Sequence, residues 1–120
     1  MGYKATITEI GPMVQDFIGE NMIILFDNNA PDALRDMAVL HSIEEWERDI
    51  TIGDELVVCE KRYKVTAIGN EANETLKTMG HCTLMFNGAD TAQLPGHIEL
   101  SGDGLPDLSV GLSIEIIYNA

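Results

Sequence analysis

The chain reads as mainly β: a closed or partly closed β-barrel of short, largely antiparallel strands with one or two short helices. Three observations lead there. Apolar residues recur in short runs that either alternate with polar residues or are unbroken, which is strand behaviour. Clusters of Gly, Pro, Asn and Asp ("FDNNAP", "NGAD", "LPG", "SGDGLPD") separate the runs. Only two stretches carry helical spacing. Closing such strands into a barrel removes the exposed edges that would otherwise template aggregation. A two-sheet sandwich is the alternative.

Taken in order, "YKATITEI" (3–10) places Tyr3, Ala5 and Ile7 on one face and Lys4, Thr6 and Thr8 on the other. "MIILFD" (22–27) is continuously apolar, as in a strand buried on both faces. In "APDALRDMA", Pro31 suits a first helical position and Asp32 the positive end of the helix dipole. Leu34, Met37 and Ala38 then share a face. "AVLH" runs on into an extended segment. "ELVVCE" (55–60) and "RYKVTAIG" (62–69) form a hairpin about the charged "EKR". In "NEANETLKTMG", Asn70 can cap a helix and Gly80 end it. Its stripe Ala72, Leu76, Met79 reads as core packing. "HCTLMF" (81–86), "HIEL" (97–100) and "LSIEIIY" (112–118) complete the strands.

A length of 120 residues predicts one domain, 1–120, with a real core. Twenty acids against seven bases give a net charge of −13. A phosphate backbone needs a basic footprint, so the charge argues against nucleic acid as a partner, and against an anionic membrane surface. No apolar run approaches the roughly 20 residues of a membrane span, and the N-terminal segment lacks the apolar stretch of a secretory signal. Gly2 to Thr6 fits a myristoylation pattern, but "ATITEI" already reads as strand. Cys59 and Cys82 lie in apolar runs without a Cys-x-x-Cys, which predicts reduced thiols and a cytoplasmic location.

No phosphate-binding loop, dinucleotide fingerprint, zinc-protease motif or nucleophile elbow is present. The candidates are His41, His81 and His97. His41 closes the apolar "AVL" and opens the acidic "SIEEWERD", a border between packed and wet surface where a nucleophilic imidazole is useful. The bland reading is a histidine that caps the core. His81, past a helix end, would accompany His41 or be structural; His97, after a Pro-Gly turn, reads as exposed or half-exposed. A metal site built from His41, His81, Cys59 and Cys82 has no ligand spacing behind it, and no metal or cofactor is expected. Seven acids from Glu44 to Glu60 (Glu44, Glu45, Glu47, Asp49, Asp54, Glu55, Glu60) form either a solvated surface or a docking rim for a basic partner. Lys61, Arg62 and Lys64 would hold a phosphoryl group only if they fold near His41.

The stretches "ATITEIG", "MIILFDNNAPDALRDMAVLH", "RYKVTAIGNEANETLKTMGHCTLMF" and "LPGHIEL", in this order and spacing, resemble the sorbitol (glucitol)-specific IIA components of the bacterial phosphotransferase system. The resemblance implies a phosphocarrier that takes a phosphoryl group from the histidine-containing protein HPr. It then passes the group to a cysteine of the IIB component of the IIB/IIC sorbitol permease. It places the phosphohistidine at His41 and a "GH-x-T-L-x-F" segment at His81. Sugar specificity would belong to the membrane partner.

Phosphoryl transfer through a loose transition state needs positioning and donors. We therefore expect His41 Nε2 to attack while Nδ1 is anchored, with one ring nitrogen accessible. Ser42, nearby backbone N–H groups and His81 are the candidate phosphate donors. Val39, Leu40, Ile43 and Trp46 would offer contact area or core. The competing class is a non-catalytic, acidic β-barrel interaction module whose histidines are structural.

Overall fold

The computed structural model describes residues 3–45 and 48–119, with backbone only for Tyr3. The N-terminal myristoylation pattern (Gly2), Trp46 and Glu47 lie outside the described residues. The elements are β1 (Tyr3–Ile10), α1 (Val14–Ile18), β2 (Met22–Asp27), α2 (Asp32–Arg35), β3 (Ala38–His41), β4 (Glu55–Val58), β5 (Lys61–Ile68), α3 (Ala72–Met79), β6 (Cys82–Met85), β7 (His97–Ser101) and β8 (Ser113–Ile117). The strands close a barrel in the order β1-β3-β2-β6-β7-β5-β4-β8. β2 and β3 pair in parallel, as do β6 and β7, and the other pairs are antiparallel. Parallel neighbours need a crossover. Residues 28–37, with α2, supply one, and residues 86–96 supply the other.

Inward residues of every strand (Ile7, Ile23, Leu25, Val39, Leu56, Val65, Leu84, Ile98 and Ile114 among them) form one cluster. Ala72 and Leu76 of α3 join it, so α3 covers part of the barrel interior. A second cluster of Phe26, Ala30, Ala38 and Leu40 lies on the opposite face of β2 and β3, with Leu34 of α2 against it. Among the described residues no helix is long and apolar enough to cross a membrane.

Several expectations need correction. Among the described residues there are three short helices, more than the expected one or two. α1 buries only Val14 and is too short for periodicity to reveal. α2 is a single turn with Pro31 at its N-cap, and Ala38 belongs to β3. The Ala38 carbonyl accepts the Gly11 N–H at 3.0 Å, so strand pairing overrides the helical spacing. The β4–β5 hairpin turns at Cys59–Glu60, both at positive φ (49° and 76°), as a tight two-residue turn demands. α3 starts from Glu71 without a side-chain cap, and Met79 stands 43% exposed instead of joining the core.

Asp54 was counted with the acidic rim but is fully buried. Its Oδ2 accepts the Thr51 N–H at 2.8 Å and its Oδ1 the Asn119 N–H at 2.8 Å. Arg48 lies 3.7 Å from the same carboxylate. Asp54 therefore ties the entry to β4 to the exit from β8. Asp54→Ala strips partners from two backbone donors and is expected to cost about 2–4 kcal/mol, read as a lower urea midpoint with an unchanged slope.

Candidate functional site

The C-terminal ends of the parallel strands β2 and β3 lie side by side, with Asp27 in register with His41. On its other side His41 faces Ile7 of β1, next to a bulge at Thr8 that shifts the β1–β3 register. His41 shares strand parity with inward Val39, and Asp27 with inward Leu25. Both side chains thus continue the interior rows to the barrel rim.

α3 ends there on Gly80, which takes the left-handed conformation (φ 62°). A Cβ on Gly80 would stand 2.7 Å from His41 Cε1 and 2.7 Å from Asp27 Cβ, so the position has neither conformational nor spatial room for a side chain.

The His41 ring is held hard. Nδ1 lies 2.9 Å from the Ser42 carbonyl oxygen and Nε2 2.8 Å from the Gly80 carbonyl oxygen. Carbonyls only accept, so a ring protonated on both nitrogens satisfies both contacts and a neutral ring satisfies one. The residue is 2% exposed. An accessible ring nitrogen was expected; in this conformation both face a carbonyl. The physical reason is the close approach of Gly80, which brings the end of α3 directly onto the ring.

A cavity of about 60 Å³ adjoins His41, lined also by Asp27, Ile43, Glu44, Lys77, Thr78 and Gly80. Lys77 is ion-paired with Asp49, and that hydrogen bond pushes its ammonium above the usual lysine range. Ser42 sits beside the ring, but its hydroxyl donates to Glu44 at 3.0 Å and accepts the Thr6 N–H at 3.0 Å.

His81 is only one residue beyond Gly80. Its ring stacks on Phe26 (centroids 4.1 Å, 12° between planes), and Nδ1 lies 3.0 Å from the Leu25 carbonyl oxygen. Phe26 belongs to the second cluster, so His81 braces the start of β6 against β2.

Three residues of this site carry no sequence signal of their own. Asp27 reads only as a strand end, and Lys77 and Thr78 only as parts of a helix. The "MG" that ends the helix was the available signal, since a left-handed Gly puts backbone carbonyls against whatever packs there.

A family model of the phosphotransferase-system glucitol/sorbitol-specific IIA component matches residues 2–115. The chain belongs to this family. Glucitol/sorbitol-specific EIIA components of Shigella flexneri and of Escherichia coli (strain K12) are each 33% identical to it over 109 residues, 91% of this chain and 89% of theirs. The crystal structure of a phosphotransferase-system IIA component from Enterococcus faecalis V583 superposes with a TM-score of 0.86 at 33% identity, covering 97% of this chain and 100% of that one. The protein thus has the role of a phosphocarrier component, and its mainly β barrel is a fold seen in a solved IIA component.

The remaining candidates of this IIA component fall elsewhere. β5 lies four strands around the eight-stranded ring from β3, so Lys61, Arg62 and Lys64 are on the opposite wall from His41. Lys61 donates to the Leu105 carbonyl and Arg62 pairs with Glu55 at 2.8 Å. His97, expected exposed or half-exposed, is 7% exposed: β7 is paired on both sides, and its N–H is bonded to the Leu94 carbonyl of the crossover. The acids do not form one rim. Glu44, Glu45 and Asp49 are exposed, Asp54 is buried, and Glu60 sits in the β4–β5 turn. Val39 and Leu40 are core, while Ile43 is 57% exposed. Among the described residues no three His, Cys, Asp or Glu gather to hold a metal. Burial pushes the Cys82 thiol up to about 12, an inert core residue.

Proposed function

We propose that His41 is the residue on which this IIA component is phosphorylated, through Nε2, with phospho-HPr as donor and the IIB cysteine of a sorbitol permease as the next acceptor. The observation that carries the reading is the Nδ1 anchor. The ring is fixed through the carbonyl of its own neighbour, Ser42, while Nε2 points across the rim at the Gly80 carbonyl that ends α3.

For transfer, Nε2 must part from the Gly80 carbonyl, and a proton carried on Nε2 passes to water. Nε2 then gives its lone pair to phosphorus, and the P–N bond to the donor histidine breaks with its electron pair left on the donor nitrogen. Nδ1–H stays on the Ser42 carbonyl throughout, and His81 acts at one remove by holding the peptide that follows Gly80.

Residues 1–120 act as a single IIA unit, in the cytoplasm, where phosphoenolpyruvate feeds the chain. Exposed Glu44, Glu45, Ile43 and Met79 around the rim supply acidic and apolar contact for a basic carrier.

The test combines the protein with phosphoenolpyruvate, enzyme I and HPr, omitting one component at a time. Intact mass and peptide mapping follow. One HPr-dependent, acid-labile phosphate on His41 is the expected result. Phosphate on His81, or none on a folded protein beside an active carrier, would overturn the assignment.

A further inference from the structure

A dianionic phosphoryl group on His41 would enter acidic surroundings. Asp27 and Glu44 line the cavity, and the carbonyl end of α3, the negative pole of the helix, closes it. Charge of this sign destabilises a phosphoryl group unless a cation is brought to it. Among the described residues in the cavity lining, Lys77 is the Lys or Arg available, and Thr78 is the hydroxyl beside it. Ser42, the donor expected from sequence, already has its hydroxyl committed to Glu44 and Thr6.

Lys77 rests on Asp49, a partner on an exposed segment, and its own side chain is 43% exposed. It can exchange one anion for another at small cost, because exposed ion pairs are worth little. Thr78 Oγ1 donates to the Glu74 carbonyl at 2.9 Å within the helix, and Thr78 itself lines the cavity. Thr78 and Asp27 also line the adjoining groove of about 250 Å³, with Phe26, Asn29 and Met79.

We propose that Lys77 and Thr78 form the phosphoryl-binding side of the site, Lys77 leaving Asp49 to neutralise the group during transfer to His41. This inference rests on the His41 assignment and names donors for it that the sequence did not suggest.

Steady-state phosphorylation by phospho-HPr tests it with four variants. Lys77→Met is expected to lower kcat by about 10- to 100-fold, the scale of one lost charge-assisted hydrogen bond, with KM unchanged. Lys77→Arg should restore most of the rate. Asp49→Asn breaks the same ion pair but keeps the cation, and should retain full kcat. Lys64→Met, on the far wall, should match the unaltered protein. Circular dichroism confirms that each is folded.

A normal kcat in Lys77→Met would overturn the proposal. So would a loss confined to KM, no rescue by Arg, or an equal loss in Asp49→Asn, which would make the pair merely structural. Mapping the phosphate in the unaltered protein separates the two failures. Phosphate away from His41 sinks the underlying assignment. Phosphate on His41 with a fully active Lys77→Met sinks this inference alone.

Discussion

His41→Ala is expected to take up no phosphate from phospho-HPr and to melt about 4–10 °C below the unaltered protein. The first effect follows from removing the nucleophile, for which no other described side chain occupies the same rim position. The second follows from geometry. The buried Gly80 carbonyl would lose the ring nitrogen that stands 2.8 Å from it, a loss of about 1–3 kcal/mol. A histidine with only a chemical role would show the first effect alone, and one with only a structural role the second alone. Thermal unfolding alongside the mass assay reads both. Full phosphorylation of the alanine variant would end the assignment.

Gly80→Ala is expected to be more disruptive than any surface change. The left-handed backbone costs an L-residue roughly 1–2 kcal/mol. The methyl group would also press on His41 Cε1, Asp27 Cβ and the Asp27 backbone nitrogen, the last at 2.8 Å. Overpacking of this kind adds about 1–3 kcal/mol. Relief requires the ring or the β2 terminus to shift, so phosphoryl acceptance should fall by about 100-fold, as for a reacting atom displaced by an ångström. A urea titration and a phosphorylation time course measure the two losses. A variant as stable and as fast as the parent would show that the close approach of α3 to His41 is not maintained in solution.

Much of the fold was legible because strand period survives burial. "YKATITEI" and "MIILFD" mark β1 and β2 to the residue. β3 was only half legible: "AVLH" is four residues buried on every face, with no alternation to read. In the sequence the charged "EKR" reads as the hairpin turn, one residue or two beyond the reversal itself. Lys61 and Arg62 instead begin β5, and two non-glycine residues, Cys59 and Glu60, make the reversal.

For the site, the change from apolar to acidic composition singled out His41. Its carbonyl partner stands 39 residues away on another element, a contact no local pattern encodes. The same applies to Lys77, whose pairing with Asp49 and place beside His41 arise only when α3 packs across the rim. For His97 the converse holds: the Pro-Gly turn before it reads as exposed, but its N–H is bonded back to Leu94 of the crossover and the residue is buried.

The β1–β8 seam bears on how the chain matures. Tyr3 lies opposite Ile116 and Thr6 opposite Ser113, while β8 also pairs with β4. β1 is therefore synthesised long before the strand that completes its pairing, and a ribosome-bound chain still lacking β8 carries two unpaired borders, on β1 and β4. Such contacts between distant segments slow folding and leave nascent chains open to association. The rim around His41, which needs β1, β2, β3 and α3 held together, becomes dependable only after β8 slides into place.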